Sequence, residues 1–359
     1  MGIKKDSNGS GVLIRAIWPF IVAALIFLLV RVAVNYPELV DKYYSKGFYS
    51  FYARSLSPIS GLIPFSLWDV FWGLTVLALI AGIIAVIIRR LKLSRFLLRL
   101  AQTLALLYSL FYLSWGFNYF RPELIARSGM TTIKADEELF RTTFDTIIAR
   151  VNRDYVNIDI ADYKSIDSEV EKSYAANAFN LDINYPNGRR IPKRMIVSGL
   201  IAKFGISGYF GPFFNEVNLN TKALPVDYPF LLAHENAHQF GIASEGDANL
   251  AAFVVCVASG CEKLRYSGYL TLALYFLSDA RHLPDYKDYV AKIDERVRVD
   301  IQFRQQYYKG LQDDKMEKAH DVVYDVYLKK NHVARGIDDY NQVVEFAITL
   351  LNGNNTFGQ

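Results

Sequence analysis

The sequence predicts a mainly helical protein, in which three transmembrane helices precede a mostly helical α+β domain with a small sheet. Three observations support this fold class. Hydrophobic residues make up 52% of the 359 positions and charged residues only 21%, which is fewer than in a typical soluble domain. The excess of apolar residues is concentrated in residues 1–120. Residues 121–359 show apolar positions mainly at helical spacing, which is typical of a globular domain.

Three apolar segments are each long enough to cross a bilayer, which takes about 20 helical residues. They run from about 12 to 34, 68 to 88 and 96 to 120. The first is longer than the apolar core of a signal peptide and lacks a good cleavage site, so we expect a retained anchor. Aromatic residues crowd the end of the third segment, as in the belt at a membrane interface. They are Trp115, Phe117, Tyr119 and Phe120.

Basic residues predict the orientation of these spans, because cytoplasmic loops carry an excess of Lys and Arg. The loop between the second and third spans has five basic residues and no acidic ones: Arg89, Arg90, Lys92, Arg95 and Arg99. Lys4, Lys5 and Arg15 precede the first span. We therefore expect a multi-pass protein of the cell membrane with a cytoplasmic N-terminus. With three spans, the domain of residues 121–359 lies outside the cytoplasm.

The net charge of +4 is small, and the basic residues that produce it lie beside the apolar segments. Nothing in this balance indicates a nucleic-acid partner. The lipid bilayer is the partner that the first 120 residues predict, and the oligomeric state is left open.

Residues 121–359 are predicted to be mainly helical. Alternating residues predict one strand. The predicted elements are helices at Asp136–Tyr155, Ser168–Phe179 and Pro192–Phe204, an irregular glycine-rich stretch at Gly205–Pro212, a strand at Glu216–Asn220, and helices from Pro229 onward.

The motif with the clearest chemistry is His234-Glu235-Asn236-Ala237-His238, an HExxH pattern. Pro229 is a helix-start signal and Gly241 a stop signal, so the motif lies on a predicted helix. Side chains four residues apart share a helix face, so His234 and His238 can bind one Zn²⁺ ion. Glu235 is not an expected ligand. It would act as the general base that takes a proton from the attacking water.

A catalytic zinc site needs a third protein ligand, and two acidic residues follow the motif. Ser244 and Asp247 form an S-x-x-D start of the next helix, which gives Asp247 a structural role. Glu245 is then free to point back at the histidines. Asn249 could fix the orientation of a metal ligand without binding the metal itself. Asp247, or a residue elsewhere in the chain, stays open as the alternative ligand. His282, His320 and His332 lack such neighbours and are interpreted as surface or core residues.

Several segments resemble a bacterial membrane-protein family known as domain of unknown function 3810. They are Gly208–Asn220, Pro229-Phe230, His234–Gly241, Glu245–Asn249, Tyr327–Lys330 and Gly336–Tyr340, together with the three spans. Members of that family are regarded as zinc peptidases because of their HExxH motif.

A more distant likeness is to the membrane-bound CAAX-type and heat-shock zinc endopeptidases. Their third zinc ligand is a Glu in an E-x-x-A-Asp pattern, which Glu245–Asn249 resembles with Asn249 in the last place. The likeness favours Glu245 over Asp247, although the spacing from His238 is much shorter here. It also implies a zincin-like domain whose cleft edge strand would be Glu216–Asn220, bringing Glu216 and Asn218 to the substrate. Alternatively, this strand belongs to the core sheet.

We therefore expect a membrane-anchored zinc metallopeptidase with one Zn²⁺ per chain and a peptide or protein substrate. A donor to the oxyanion is also expected, and the sequence does not choose between Tyr209 and Tyr340. The alternative is a non-catalytic, membrane-anchored binding or scaffold protein, in which the HExxH motif is a structural or vestigial metal site.

Overall fold

The computed structural model describes residues 7–184, 190–331 and 342–353, and it is mainly helical with a small three-stranded sheet, as predicted. In the first 120 residues the α-helices are α1 (Ser7–Ala33), α2 (Pro37–Leu39), α3 (Ser50–Ser60), α4 (Leu67–Ile87) and α5 (Leu93–Ser114). A π-helix occupies Val40–Tyr49 and a 3₁₀ helix Gly116–Phe120.

Three of these helices are long and apolar enough to cross a membrane, as predicted. The qualifying stretches are Ala16–Ala33 of α1 and the whole of α4 and α5. None of the α4 span is buried within the protein, which suits a helix that faces lipid.

The third span differs from its prediction at its far end. Helix α5 stops at Ser114, and the next turn is the 3₁₀ helix. Trp115, Phe117 and Phe120 are buried, with at most 8% of each exposed, so the predicted interface belt is wrong for these three residues. Protein replaces lipid around them: the Trp115 indole N–H donates to the carbonyl of His238 at 3.0 Å.

The segment between α1 and α4 packs against the C-terminal domain instead of forming a free loop. The buried Tyr49 donates its hydroxyl hydrogen to the carbonyl of Gln239 at 2.8 Å. Arg121 forms an ion pair with Asp41 at 2.6 Å. This segment and the C-terminal domain therefore lie on the same side of the three apolar helices.

The C-terminal domain is built from helices around one hydrophobic core. They are α6 (Leu124–Arg127), α7 (Glu137–Arg153), α8 (Tyr163–Asn177), α9 (Ser198–Ala202), α10 (Tyr228–Gln239), α11 (Glu245–Val257), α12 (Glu262–Asp279), α13 (Tyr286–Lys292), α14 (Glu295–Leu311), α15 (Asp314–Lys330) and α16 (Gln342–Asn352), with 3₁₀ turns at Ile160–Asp162 and Ala280–His282. The predicted helix from Asp136 is confirmed as α7, which Asp136 caps by accepting from the Leu139 amide. Helix α8 starts earlier than predicted.

The sheet comprises β1 (Lys193–Arg194), β2 (Gly208–Gly211) and β3 (Glu216–Leu219) in the order β1-β3-β2. Strand β3 pairs in parallel with β1 and antiparallel with β2. The predicted strand is confirmed as β3. It is the central strand, so the core-sheet alternative holds.

Two sequence expectations around β3 are wrong. The stretch predicted as a helix from Pro192 to Phe204 is helical only in α9, because β1 pairs with β3 just before it. The glycine-rich stretch predicted to be irregular contains β2. Its glycines lack the side chains from which a strand is normally recognised.

Candidate metal centre

Helix α10 carries the HExxH motif and has the predicted start and stop. Asp227 is its N-cap and Pro229 lies in its first turn. Gly241 has φ +81°, where a Cβ would lie 2.9 Å from the Tyr49 ring, so glycine is required to turn the chain here. The imidazole rings of His234 and His238 lie on one face, with their centroids 4.8 Å apart.

The turn at Gly241 brings the first residue of α11 back to these histidines. Ser244 caps α11 by accepting from the Asp247 amide, as predicted. The Glu245 carboxylate lies 3.1 Å from His234 Nε2 and 3.7 Å from His238 Nε2. One ligand atom from each of the three residues falls within 4.8 Å of the other two. The structure thus brings the three predicted ligands together.

The second nitrogen of each imidazole is fixed by a neighbour. His238 Nδ1 lies 2.8 Å from the carbonyl oxygen of Ile242, which can only accept, so Nδ1 carries the hydrogen. His234 Nδ1 lies 2.9 Å from Asn249 Oδ1, which is where Asn249 was expected. Both Nε2 atoms therefore face Glu245, in the orientation that metal-binding histidines adopt.

This arrangement fits a cation. In their neutral form both Nε2 atoms are acceptors, and they face a carboxylate that also accepts, so a positive charge must lie between them. Burial opposes charge on His238, but the Glu245 carboxylate outweighs it and raises the pKa of His238 to about 9. The two histidines in turn hold the pKa of Glu245 well below its usual range, despite its burial. Two nitrogens and one carboxylate oxygen are a typical ligand set for catalytic zinc.

Glu235 lies beside this cluster and is 4% exposed. Its Oε2 atom has no hydrogen-bond partner among the described residues. Burial raises the pKa of Glu235 to about 7, although the two histidines oppose this change. A Cβ at Gly208 of β2 would lie 2.5 Å from Glu235 Oε1, so only glycine leaves room for this carboxylate. A carboxylate with a free oxygen and a pKa near neutrality can act as a general base.

Asp247, the alternative ligand, is engaged elsewhere. Its carboxylate accepts from the backbone N–H of Leu124 at 2.9 Å. This contact holds the start of α6 against α11, which matches the structural role inferred for Asp247.

Three of the residues proposed as oxyanion donor or cleft residues are described. Tyr209 lines the cavity beside the cluster, whereas Glu216 and Asn218 are not among its lining residues. The Tyr209 hydroxyl donates to Asp69 at the start of α4, on the face of the sheet opposite Gly208. Glu216 forms a buried ion pair with Lys193, and Asn218 is fully buried in β3. Tyr340, like His332, lies outside the described residues.

A cavity of about 760 Å³ opens beside the cluster, within the usual size range of ligand sites. His234, Glu235, His238 and Glu245 all line it. Helix α15 adds His320, Tyr324 and Tyr327, which the sequence analysis missed, and the Tyr324 hydroxyl donates to Glu245. These three residues are far along the chain from the HExxH motif, and no local sequence pattern links them to it.

His282, by contrast, is exposed as expected.

Over residues 44–348 the chain matches the model of a family described as a protein of unknown function, DUF3810. The chain belongs to this family. The match includes α4, α5 and the candidate metal ligands His234, His238 and Glu245, so the family resemblance read from the sequence is confirmed. These three residues are called the metal cluster below. Neither the curated proteins nor the solved structures include a match. The description of DUF3810 assigns no activity.

Proposed function

We propose that this DUF3810 protein is a membrane-anchored zinc metallopeptidase. The observation that carries the proposal is the position of a free carboxylate oxygen, on Glu235, beside three metal-binding side chains in the wall of an open cavity. Structural zinc sites are closed by four protein ligands, whereas catalytic sites keep one position open. The described residues supply three ligands next to a cavity.

In this mechanism His234, His238 and Glu245 hold the ion. Bound zinc would lower the pKa of a water molecule and polarise the substrate carbonyl. Glu235 would accept the proton of the attacking water on Oε2 and then donate it to the leaving amine. Asn249 and the Ile242 carbonyl keep both imidazoles in the required tautomer. Tyr324 orients the Glu245 carboxylate through its hydroxyl.

The free edge of strand β2 favours a polypeptide as the substrate. Just beyond β3, the Asn220 amide donates to the carbonyl of Ser207, the residue before β2. By alternation, Tyr209 and Gly211 are the β2 residues that exchange hydrogen bonds with β3. In an antiparallel pair the alternate residues, Gly208 and Phe210, direct their backbone groups to the other edge. No described strand pairs with that edge, and both residues line the cavity. An extended peptide could add there as a further strand beside Glu235.

We also propose that the protein lies in the cell membrane with its N-terminus in the cytoplasm and residues 121–359 outside. The basic loop between α4 and α5 supports this orientation. The packing of the segment between α1 and α4 on the C-terminal domain is consistent with it, because both would lie outside the cytoplasm.

Metal analysis of the purified full chain tests the proposal. We expect about one zinc per chain in the wild type, and loss of the metal in His234→Ala and Glu245→Ala. His282→Ala is the matched control, because His282 is exposed and far from α10 in the chain. Full zinc in Glu245→Ala would contradict the third ligand, and full zinc in His234→Ala would contradict the site.

Hydrolysis decides between the peptidase and the scaffold alternative. Cleavage of a peptide library should stop when a chelator removes the metal and should resume when zinc is restored. Bound zinc without hydrolysis would favour a structural metal site.

A further inference from the structure

We infer that the substrate is a membrane-anchored polypeptide, cut close to the point where its chain leaves the bilayer. The inference rests on the proposed peptidase function and adds the class of substrate. Its basis is the composition of the cavity wall. The cavity that contains the metal cluster is also lined by Trp68 and Trp72 of α4 and by Leu107 and Phe111 of α5.

These residues place part of the cavity along the apolar spans. At 1.5 Å per residue, Leu107 lies about 10 Å along α5 from its end at Ser114. Trp72 lies about 8 Å along α4 from its start at Leu67, and it is partly exposed. One continuous cavity thus runs from the metal cluster onto surfaces that face lipid in a membrane.

Hydrogen bonds connect α4 and the end of α5 directly to the domain that carries the site. At the start of α4, the Trp68 amide donates to Glu216 at 2.7 Å, and Asp69 accepts from the Ile196 amide at 2.6 Å. After the end of α5, Trp115 donates to the His238 carbonyl at 3.0 Å. The metal cluster is therefore fixed close to the outer ends of both spans.

The surface on either side of the cavity is also apolar. Ile196 and Leu200 are more than half exposed beside the start of α4. On α15, Val322 and Val323 are about two-thirds exposed, and Tyr327 of the same helix packs on Phe111 of α5 with ring centroids 6.2 Å apart. Exposed apolar side chains next to span ends suit the interface of a bilayer. A substrate entering here would approach along the membrane surface.

The exposed edge of β2 favours a polypeptide over a lipid as the occupant. Gly208 and Phe210, the residues at this edge, line the same cavity as Trp72 and Leu107. An extended chain that leaves the bilayer could place apolar side chains against the span wall while its backbone pairs with β2. This arrangement would bring the first residues after the anchor of the substrate to Glu235.

Cleavage by the full chain in liposomes tests the inference. One reporter has a single span followed directly by a randomised segment of about ten residues, which reaches at most about 35 Å. A second reporter has the same span and segment separated by a Gly/Ser linker of about 20 residues, or about 25 Å on average. Both are confined to the same membrane, so their local concentrations match. We expect the adjacent segment to be cut about 10–100-fold faster, because discrimination by apolar contacts with the cavity wall is of this order.

Each other outcome has a definite meaning. Equal cleavage of both reporters would overturn the substrate class and leave the peptidase intact. Failure of the zinc-loaded protein to cut either reporter, or hydrolysis of the phospholipid in their place, would overturn the peptidase and this inference together.

Variants on α5 test the wall itself. Leu107→Trp should narrow the cavity and slow cleavage of the adjacent segment. Leu104→Trp, an equal change at a residue that is 58% exposed on the same helix, should not. Equal zinc content would show that both variants fold. Equal cleavage by the two would contradict the role of the wall.

Discussion

Two buried glutamates on opposite faces of the same small sheet have very different surroundings. Glu216 is 2% exposed and Glu235 4%. The Glu216 carboxylate has the Lys193 ammonium, the Trp68 amide and the Ser66 hydroxyl as partners. Glu235 keeps one oxygen without a partner among the described residues. A buried carboxylate is costly unless it is paired, so a free oxygen at such a position indicates function rather than stability.

The largest expected effect comes from Glu235→Gln. The amide keeps the shape of the side chain but cannot accept a proton, so hydrolysis should fall by about 10²–10⁴-fold. Zinc content and the midpoint of unfolding in detergent should stay near wild type, because Glu235 is not a proposed ligand and forms no ion pair with a described residue. Full activity in this variant would exclude Glu235 as the base.

The same exchange at Glu216 should act on stability instead. Glu216→Gln leaves the ammonium of Lys193 buried and unpaired, which should lower the free energy of unfolding by about 3–5 kcal/mol. Denaturant unfolding in detergent measures this loss. The double variant Lys193→Met/Glu216→Gln should recover most of it, because no charge is left unpaired. A double variant as unstable as the single one would refute the ion-pair explanation.

Asp41 is a second paired carboxylate, and the direction in which its stabilising effect changes with pH can be tested. Burial raises its pKa, but the Arg121 guanidinium outweighs this effect and holds the pKa of Asp41 below 3.8. Its stabilisation is therefore present above about pH 4 and is lost as the pH falls further. At neutral pH, Asp41→Asn should cost about 1.5–3 kcal/mol of unfolding free energy. The gap between variant and wild type should close in acid, and a constant gap would contradict this linkage.

The smallest effect is expected where β2 approaches Glu235. Gly208→Ala places a Cβ 2.5 Å from Glu235 Oε1, so the carboxylate must move. We expect a loss of about 1–3 kcal/mol of unfolding free energy and slower hydrolysis. Gly199→Ala is the control, because its Cβ would have no neighbour within 4 Å. Wild-type activity in Gly208→Ala would mean that Glu235 tolerates displacement.

The local part of the site could be predicted from the sequence. The HExxH helix, the stop at Gly241 and the cap at Ser244 are short-range signals, and together they bring Glu245 to the histidines. Partners far along the chain left no such signal. Tyr324 reaches Glu245 only because α15 folds back over the cluster, and β2 became a strand through its pairing with β3.

Whether the residues proposed for the cleft reach the site depends on the topology of the sheet. Tyr209 and Glu216 are close to the motif in sequence, and their residue types suit catalysis. Whether they face α10 or α4 depends on strand order and on the alternation of faces, which a single short strand does not reveal. The end of the third span was misjudged for a similar reason, because the aromatic residues after Ser114 contact protein instead of lipid.

The hydrogen bond from Trp115 to the HExxH helix limits how far this protein can be truncated. A chain shortened to residues 121–359 would lose Trp115, the Asp41 partner of Arg121, and the Trp68 amide that Glu216 accepts. It would also lose one side of its cavity. The spans are thus part of the architecture that supports the candidate site, and the smallest unit that keeps this site intact includes them.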